Sequence, residues 1–285
     1  MIKVIKYFFE AVIIYLFFFI IKLIGLSVSR SLFSFIFNNL GPFIKSSSIV
    51  KKNLNIFSTH ISEKQKKEIE RNMWKNYGKT FVEYMFLNKF RTGNLHIRIE
   101  GKEILEEIYH KKKPVIFVSG HFANFELMSM ELTKNKINLA TIYRPLNNFF
   151  LNPLMEYLRK KYVCINQIKK GRLGVKECVE YLKKDHSIAL MIDQRLGEGD
   201  RVTFFNKKAH TTSLPAQLSL KYNLKVVPIF IEREKKDSFM MKIYKPIDAS
   251  LFKDKFELTL KLNQILENMI IKNPNQWIWT HDRWK

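Results

Sequence analysis

From Lys113 onward, short apolar runs alternate with segments whose apolar residues recur every three or four positions. The runs at 114–119, 138–143, 163–166, 187–192 and 225–232 read as buried strands. The segments between them, 122–134, 147–161, 173–184 and 213–222, have the length and period of helices. Strands alternating with helices predict an α/β fold: a mixed, mostly parallel sheet flanked by helices on both faces. Residues 239–244 add an edge strand, and 252–271 an amphipathic C-terminal helix.

The first third of the chain has a different pattern. Residues 7–26 are almost wholly apolar, with Glu10 and Lys22 as the only charges. About twenty such residues suffice to cross a bilayer core. No small-x-small cleavage site precedes the next apolar stretch, so an uncleaved anchor is favoured, with a helix lying in the interface as second choice. Residues 62–78 predict a helix capped by Ser62 and stopped at Gly78, with Ile69, Met73, Trp74 and Tyr77 on one face. A further helix over 80–90, a short strand at 97–99 and a short helix over 102–110 follow. The expected organisation is an N-terminal anchor helix (1–30), a helical membrane-apposed region (31–112) and an α/β catalytic core (113–285), with 31–285 forming one domain.

Composition adds the character of the partners. With 46% hydrophobic residues a disordered chain is excluded, and 49 basic against 26 acidic residues give a net charge of +23. That charge suits phospholipid, phosphorylated lipid, an acidic protein or nucleic acid. Lys, Asn, Ile and Phe have AT-rich codons, so genome composition is a competing source of part of it. The charge is spread through the chain without a nucleic-acid recognition motif, which disfavours nucleic acid. Cys164 and Cys178 lack a Cys-x-x-Cys partner or a nearby His, so neither a metal nor a disulfide framework is indicated and both read as small buried residues.

Candidate chemistry centres on Val115-Ile-Phe-Val-Ser-Gly-His-Phe-Ala-Asn-Phe-Glu126, where a buried strand breaks at Ser119-Gly120 and hands over to a helix. Open α/β sheets place their sites at such points. His121 has the side chain best suited to take a proton near neutral pH, and a carboxylate can orient it, which makes Glu126 the candidate orienter. On these residues alone, a hydrogen-bonded turn His and a solvated Glu explain the pair as well. Arg144, in Tyr143-Arg144-Pro145 at the next strand end, suits a phosphate or carboxylate, or a surface ion pair. Arg159 and Arg172 are further cations along the same stretch. The turn Lys169-Lys-Gly-Arg-Leu-Gly174 lacks the closing Lys-Ser/Thr of a P-loop, and no Ser sits in a Gly-x-Ser-x-Gly elbow. Asp193-Gln194 ends another strand, before a Gly-containing loop.

Taken together these blocks resemble the bacterial lipid A biosynthesis acyltransferases, within the glycerolipid acyltransferase superfamily and its His-x4-Asp/Glu signature. Gly120-His-Phe-Ala-Asn-Phe-Glu126 is similar to the family's Gly-His-x-x-x-Trp-Glu block, with Phe125 where Trp is frequent. Tyr143-Arg144-Pro145, Asp193-Gln194, Phe204-Phe205 with Thr211-Thr-Ser213, Val227-Pro228 and Trp279-Thr-His-Asp-Arg-Trp-Lys285 follow in the family's order. The resemblance implies transfer of a fatty acyl group from acyl carrier protein to a hydroxyl of a lipid A precursor, an acylated and phosphorylated glucosamine disaccharide. It implies His121 as general base with Glu126 as its orienter, and no cofactor or metal. Arg144, Arg159 and Arg172 would meet acceptor phosphates or the oxyanion, with donors also from N–H groups opening a helix at Phe122. Asp193 and Gln194 would act behind the proton carriers or on sugar. Apolar faces within 27–90 would rest on the bilayer and admit acyl chains. The expected place is the bacterial inner membrane, with the catalytic domain on the cytoplasmic side. Two alternatives stand beside this: an acyltransferase of the superfamily with another acceptor, such as a glycosylated phosphoinositide or an amino-acid lipid, and a basic tether without catalysis.

Overall fold

A computed structural model describes residues 2–44, 47–58 and 60–285. Helix α1 (Ile2–Ile24) buries only one stripe, including Ala11, Phe18 and Ile21, and leaves Phe9, Ile13, Leu16, Phe19 and Leu23 exposed. Among the described residues it is the helix long and apolar enough to cross a membrane. Its buried side is fastened to the body: Tyr15 Oη donates to Phe150 O (2.8 Å), and Asn148 Nδ2 donates to Tyr7 O (2.8 Å). Gly25, at φ +80°, turns the chain into α2 (Leu26–Ile44), followed by α3 (Ser47–Phe57).

Helix α4 (Glu63–Glu83) starts as expected, with Ser62 and Gln65 forming a reciprocal capping box. It does not stop at Gly78. That glycine is helical, and a Cβ there would lie 2.2 Å from Phe33 O, so its role is to let α2 and α4 touch backbone to backbone. A short 3₁₀ turn and α5 (Leu87–Thr92) replace the single helix expected over 80–90. A buried ion cluster then joins these layers. Glu83 receives Arg30 Nε (2.8 Å), Arg233 Nη2 (3.1 Å) and Asn124 Nδ2 (2.9 Å).

The sheet contains β1 (Ile97–Glu100), β2 (Ile116–Ser119), β3 (Leu139–Tyr143), β4 (Asn166–Lys169), β5 (Ser187–Met191), β8 (Lys225–Arg233), β9 (Phe239–Ile243) and β10 (Ile247–Asp248). Its order is β1-β9-β8-β2-β5-β3-β4, with β10 beside β8. The run β8-β2-β5-β3-β4 is parallel, while β9 and β10 pair antiparallel to β8. Strand β9 is therefore interior rather than the expected edge; β1 covers it in parallel, at Ile97–Phe239 through Glu100–Lys242. Helices α6 (Lys102–Lys111), α7 (Glu126–Lys134), α8 (Asn152–Leu158), α9 (Arg172–Leu182), α10 (Leu214–Tyr222) and α11 (Lys255–Lys272) connect or flank these strands. Two apolar clusters bury the opposite faces: Phe122, Leu190 and Leu266 in one, Phe117, Leu127 and Ile229 in the other. This is the mixed α/β fold expected, with both faces covered.

Two local differences have clear causes. The fourth strand begins at Asn166 rather than 163, because the chain leaves α8 through a π-helical turn, with Cys164 N bonded to Arg159 O (3.0 Å). A hairpin, β6 (Asp200–Phe204) and β7 (Lys207–Thr211), lies outside the main sheet. Its strands, Asp-Arg-Val-Thr-Phe and Lys-Lys-Ala-His-Thr, are mostly polar, so the apolar-run criterion passes over them. Cys164 and Cys178 are both buried and unpaired with each other.

Candidate active site

Strands β2 and β5 are parallel neighbours, and Ser119 is paired with Met191. Ile192 N continues the ladder to Ser119 O (2.9 Å). Two residues further on each strand stand His121 and Asp193, so one register places both at the carboxyl edge of the sheet. His121 Nδ1 meets Asp193 Oδ1 at 2.7 Å, and His121 N donates to Asp193 Oδ2 (2.8 Å). Trp277 Nε1 also donates to Oδ2 (2.9 Å). Burial disfavours the Asp193 charge, but the His121 charge and these hydrogen bonds outweigh it and hold the carboxyl below its ordinary range. An anionic Asp193 accepts Nδ1–H and leaves Nε2 as the basic nitrogen of a neutral imidazole.

The carboxylate hydrogen-bonded to His121 is thus Asp193, not the expected Glu126. Glu126 opens α7 and its Oε1 accepts from Tyr84 Oη (2.7 Å) and Arg159 Nε (2.7 Å). Both the Glu126 and Arg159 side chains are largely buried. Burial opposes the Arg159 charge, while Glu126 and Tyr84 raise its pKa and keep it a cation. Burial, then the neighbouring Glu126, pushes the Tyr84 phenol up, so it stays protonated and donates. The π-helical turn at Arg159 faces α7, an example of the local irregularity often found at functional positions.

The turn between β2 and α7 is held from outside. Ala123 has φ +45°; its N–H donates to Gln276 O (3.1 Å), and its carbonyl accepts from Thr80 Oγ1 (3.0 Å). Helix α7 begins at Glu126, four residues later than expected. The Phe122 and Ala123 N–H groups are bonded to Gly120 O and Gln276 O. They are not the free oxyanion donors that a helix opening at Phe122 would supply.

Beside His121 opens a cavity of about 750 Å³. Met128, Ile142, Leu190 and Leu214 give it apolar wall, while Glu126, Arg159, Gln194 and His281 give it polar groups. Arg144, Lys170 and Arg172 lie along its lining after β3 and β4 and are exposed. Partial burial and the Arg144 charge lower the Lys170 pKa, against the pull of Asp193. All sequence candidates therefore border this cavity except Asp193, which stands behind His121. No lining residue falls within 27–90, so an acyl chain entering here meets the sheet edge rather than the N-terminal helices expected to admit it.

Sequence reasoning passed over Tyr84, Trp277 and His281. The Trp-rich close of the chain was the available signal, but Trp277 is almost wholly buried against Asp193, a partner from across the fold.

A family model described as bacterial lipid A biosynthesis acyltransferase matches residues 2–285. The lipid A biosynthesis acyltransferase of Haemophilus influenzae is 24% identical over 262 residues, covering 89% of this chain and 82% of that protein. The lipid A biosynthesis palmitoleoyltransferase of Escherichia coli is 26% identical over 252 residues, covering 86% of this chain and 80% of its own length. Among solved structures, the 1-acyl-sn-glycerophosphate acyltransferase PlsC of Thermotoga maritima aligns with TM-score 0.43 at 14% identity, covering 89% of this chain and 100% of that one. With the family matched along nearly its whole length, the chain belongs to the bacterial lipid A biosynthesis acyltransferases.

Proposed function

We propose that this protein transfers a fatty acyl group from an acyl carrier protein thioester to a hydroxyl of a lipid A precursor, with His121 as general base. The observation that carries this reading is the His121–Asp193 pair beside a cavity that combines apolar wall with cationic lining. A thioester is already activated, so the chemistry needs a base for the acceptor hydroxyl rather than a covalent enzyme intermediate. His121 Nε2 takes that proton, a contribution of about 10²–10⁴ in rate. Asp193 fixes the tautomer and stabilises the imidazolium that forms. Glu126 acts indirectly, by holding Arg159 charged and in place at the cavity wall. Arg144 and Arg172, with Lys170, suit the acceptor phosphates and the acidic carrier protein, and Gln194 suits a sugar hydroxyl. The exposed apolar face of α1 supports attachment to the bacterial inner membrane, and we place the catalytic domain on its cytoplasmic side, where acyl carrier protein is found.

The test is an in vitro reaction of purified protein with acyl carrier thioesters of several lengths and a lipid A precursor, read by mass. The expected product is the acceptor plus one acyl group, lost in His121→Ala. Unchanged turnover in that variant would overturn the assignment of the base.

A further inference from the structure

The reaction proposed above generates an oxyanion, and the turn after β2 has already spent the Phe122 and Ala123 N–H groups. His281 lines the same cavity as His121, and its Nε2 accepts a hydrogen bond from Arg195 N (2.8 Å). A backbone N–H can only donate, so Nε2 carries no proton. The proton of the neutral ring is therefore on Nδ1. No protein hydrogen bond engages Nδ1 among the described residues, and it is not one of their buried, unpartnered polar atoms.

We propose that His281, as a neutral Nδ1–H donor, stabilises the oxyanion formed on the acyl thioester carbonyl. This rests on the acyl-transfer reading of the site. The acceptor oxygen attacks the carbonyl carbon while its proton passes to His121 Nε2. The carbonyl π pair moves to oxygen, where the His281 Nδ1–H receives it. Collapse re-forms the C=O bond and breaks the C–S bond, and the departing thiolate takes the proton back from His121.

The surroundings favour a neutral donor. Burial lowers the His281 pKa; Asp193 pulls it upward, but Arg283, His121 and Lys170 oppose that pull and the net shift is downward. The segment that carries His281 is also held in place. Asn53 Nδ2 donates to both the Trp279 and His281 carbonyls (2.8 and 2.7 Å), and Arg283 Nη1 donates to His210 O (2.7 Å). Neutral imidazole suits the role because it donates without holding the product as an ion pair would.

The experiment has two arms on the full-length protein. In ¹⁵N-detected NMR of the wild type near pH 7, the expected His281 signal is that of the Nδ1–H tautomer; an Nε2–H tautomer or an imidazolium overturns the proposal without any activity measurement. In the acyl carrier thioester assay, His281→Phe is expected to lower kcat by about 10²–10³ with little change in KM. His281→Gln, whose amide can accept from Arg195 N and still donate, is expected to recover about ten-fold of that loss. A wild type that transfers no acyl group overturns the reading of the function. A wild type that does, alongside His281→Phe at full kcat, overturns only the role of His281.

Discussion

His121 and Asp193 face each other because Ser119 and Met191 are register partners in adjacent parallel strands, each followed two residues later by its functional side chain. Asp193→Asn should keep the fold and the cavity but remove the acceptor that fixes His121 Nδ1–H. A fall in kcat of about 10²–10⁴ is expected, with KM for the acyl donor nearly unchanged. Steady-state kinetics on the purified variant check this, and a kcat within two-fold of wild type, roughly RT ln 2, would remove Asp193 from the mechanism.

Asp193 also gives the protein an acid weakness with a defined sign. Its folded carboxyl lies below the ordinary 3.8. Its stabilisation is complete above that value and is lost as pH falls through the lower folded one. Trp277→Phe deletes the Nε1–H donor to Oδ2 and raises the folded pKa, so acid unfolding should begin at higher pH than in wild type. Far-UV circular dichroism followed from pH 6 down to about 2 measures the shift. Coincident acid transitions would show that the indole bond is energetically silent.

Glu126 and Arg159 form a largely buried pair, with side chains 8% and 12% exposed. Removing Glu126 alone strands a guanidinium in a poorly hydrated wall, which costs about 3–5 kcal/mol. Replacing both with Met should restore most of that stability, because the paired desolvation cost disappears with the pair. Chemical denaturation of the single and double variants separates this indirect role from a direct one. Were Glu126 the partner of His121, the double variant would be no more stable than the single.

Gly78 sets the spacing of α2 on α4. Gly78→Ala would place a methyl carbon against the Phe33 carbonyl, which the backbone cannot accommodate without moving a helix. A loss of about 1–3 kcal/mol is expected. The melting temperature reads it directly, and an unchanged value would mean that the helices separate freely.

The rim cations give a prediction about docking. Arg144 and Arg172 are exposed and form no ion pair among the described residues. The Arg144→Ala/Arg172→Ala protein should show a raised KM for the acyl carrier thioester at low salt and little change in kcat. The difference should shrink as salt screens the wild type. A KM independent of both charge and salt would argue against electrostatic capture.

The strands and most helices of 113–285 were legible because alternating apolar runs and helical stretches have distinct periods. His121, Arg144, Asp193 and Gln194 were legible for the same reason, as they sit where apolar runs end. What a run cannot encode is its neighbour. That β2 lies beside β5 rather than β3 is decided by packing of the whole sheet, so Glu126, near in sequence, was paired with His121 in place of Asp193. The same limit made Phe239–Ile243 look like an edge, although β1, from much earlier in the chain, covers it. Gly78 reads as a helix stop until the close approach of Phe33 is known. The tautomer of His281 depends on one backbone bond from Arg195 and has no local signature.

The bond from Trp277 to Asp193 spans 84 residues. Contacts of such separation carry a large loop-closure cost and tend to form late in folding. A chain that has built its sheet but not yet docked the segment around Gln276, Trp277 and His281 would have neither a fixed turn at Ala123 nor a fully held Asp193. Under the acyl transfer proposed above, such a chain would lack both the fixed turn and the held carboxylate that the reaction uses, so docking of this C-terminal segment is the step that completes the site.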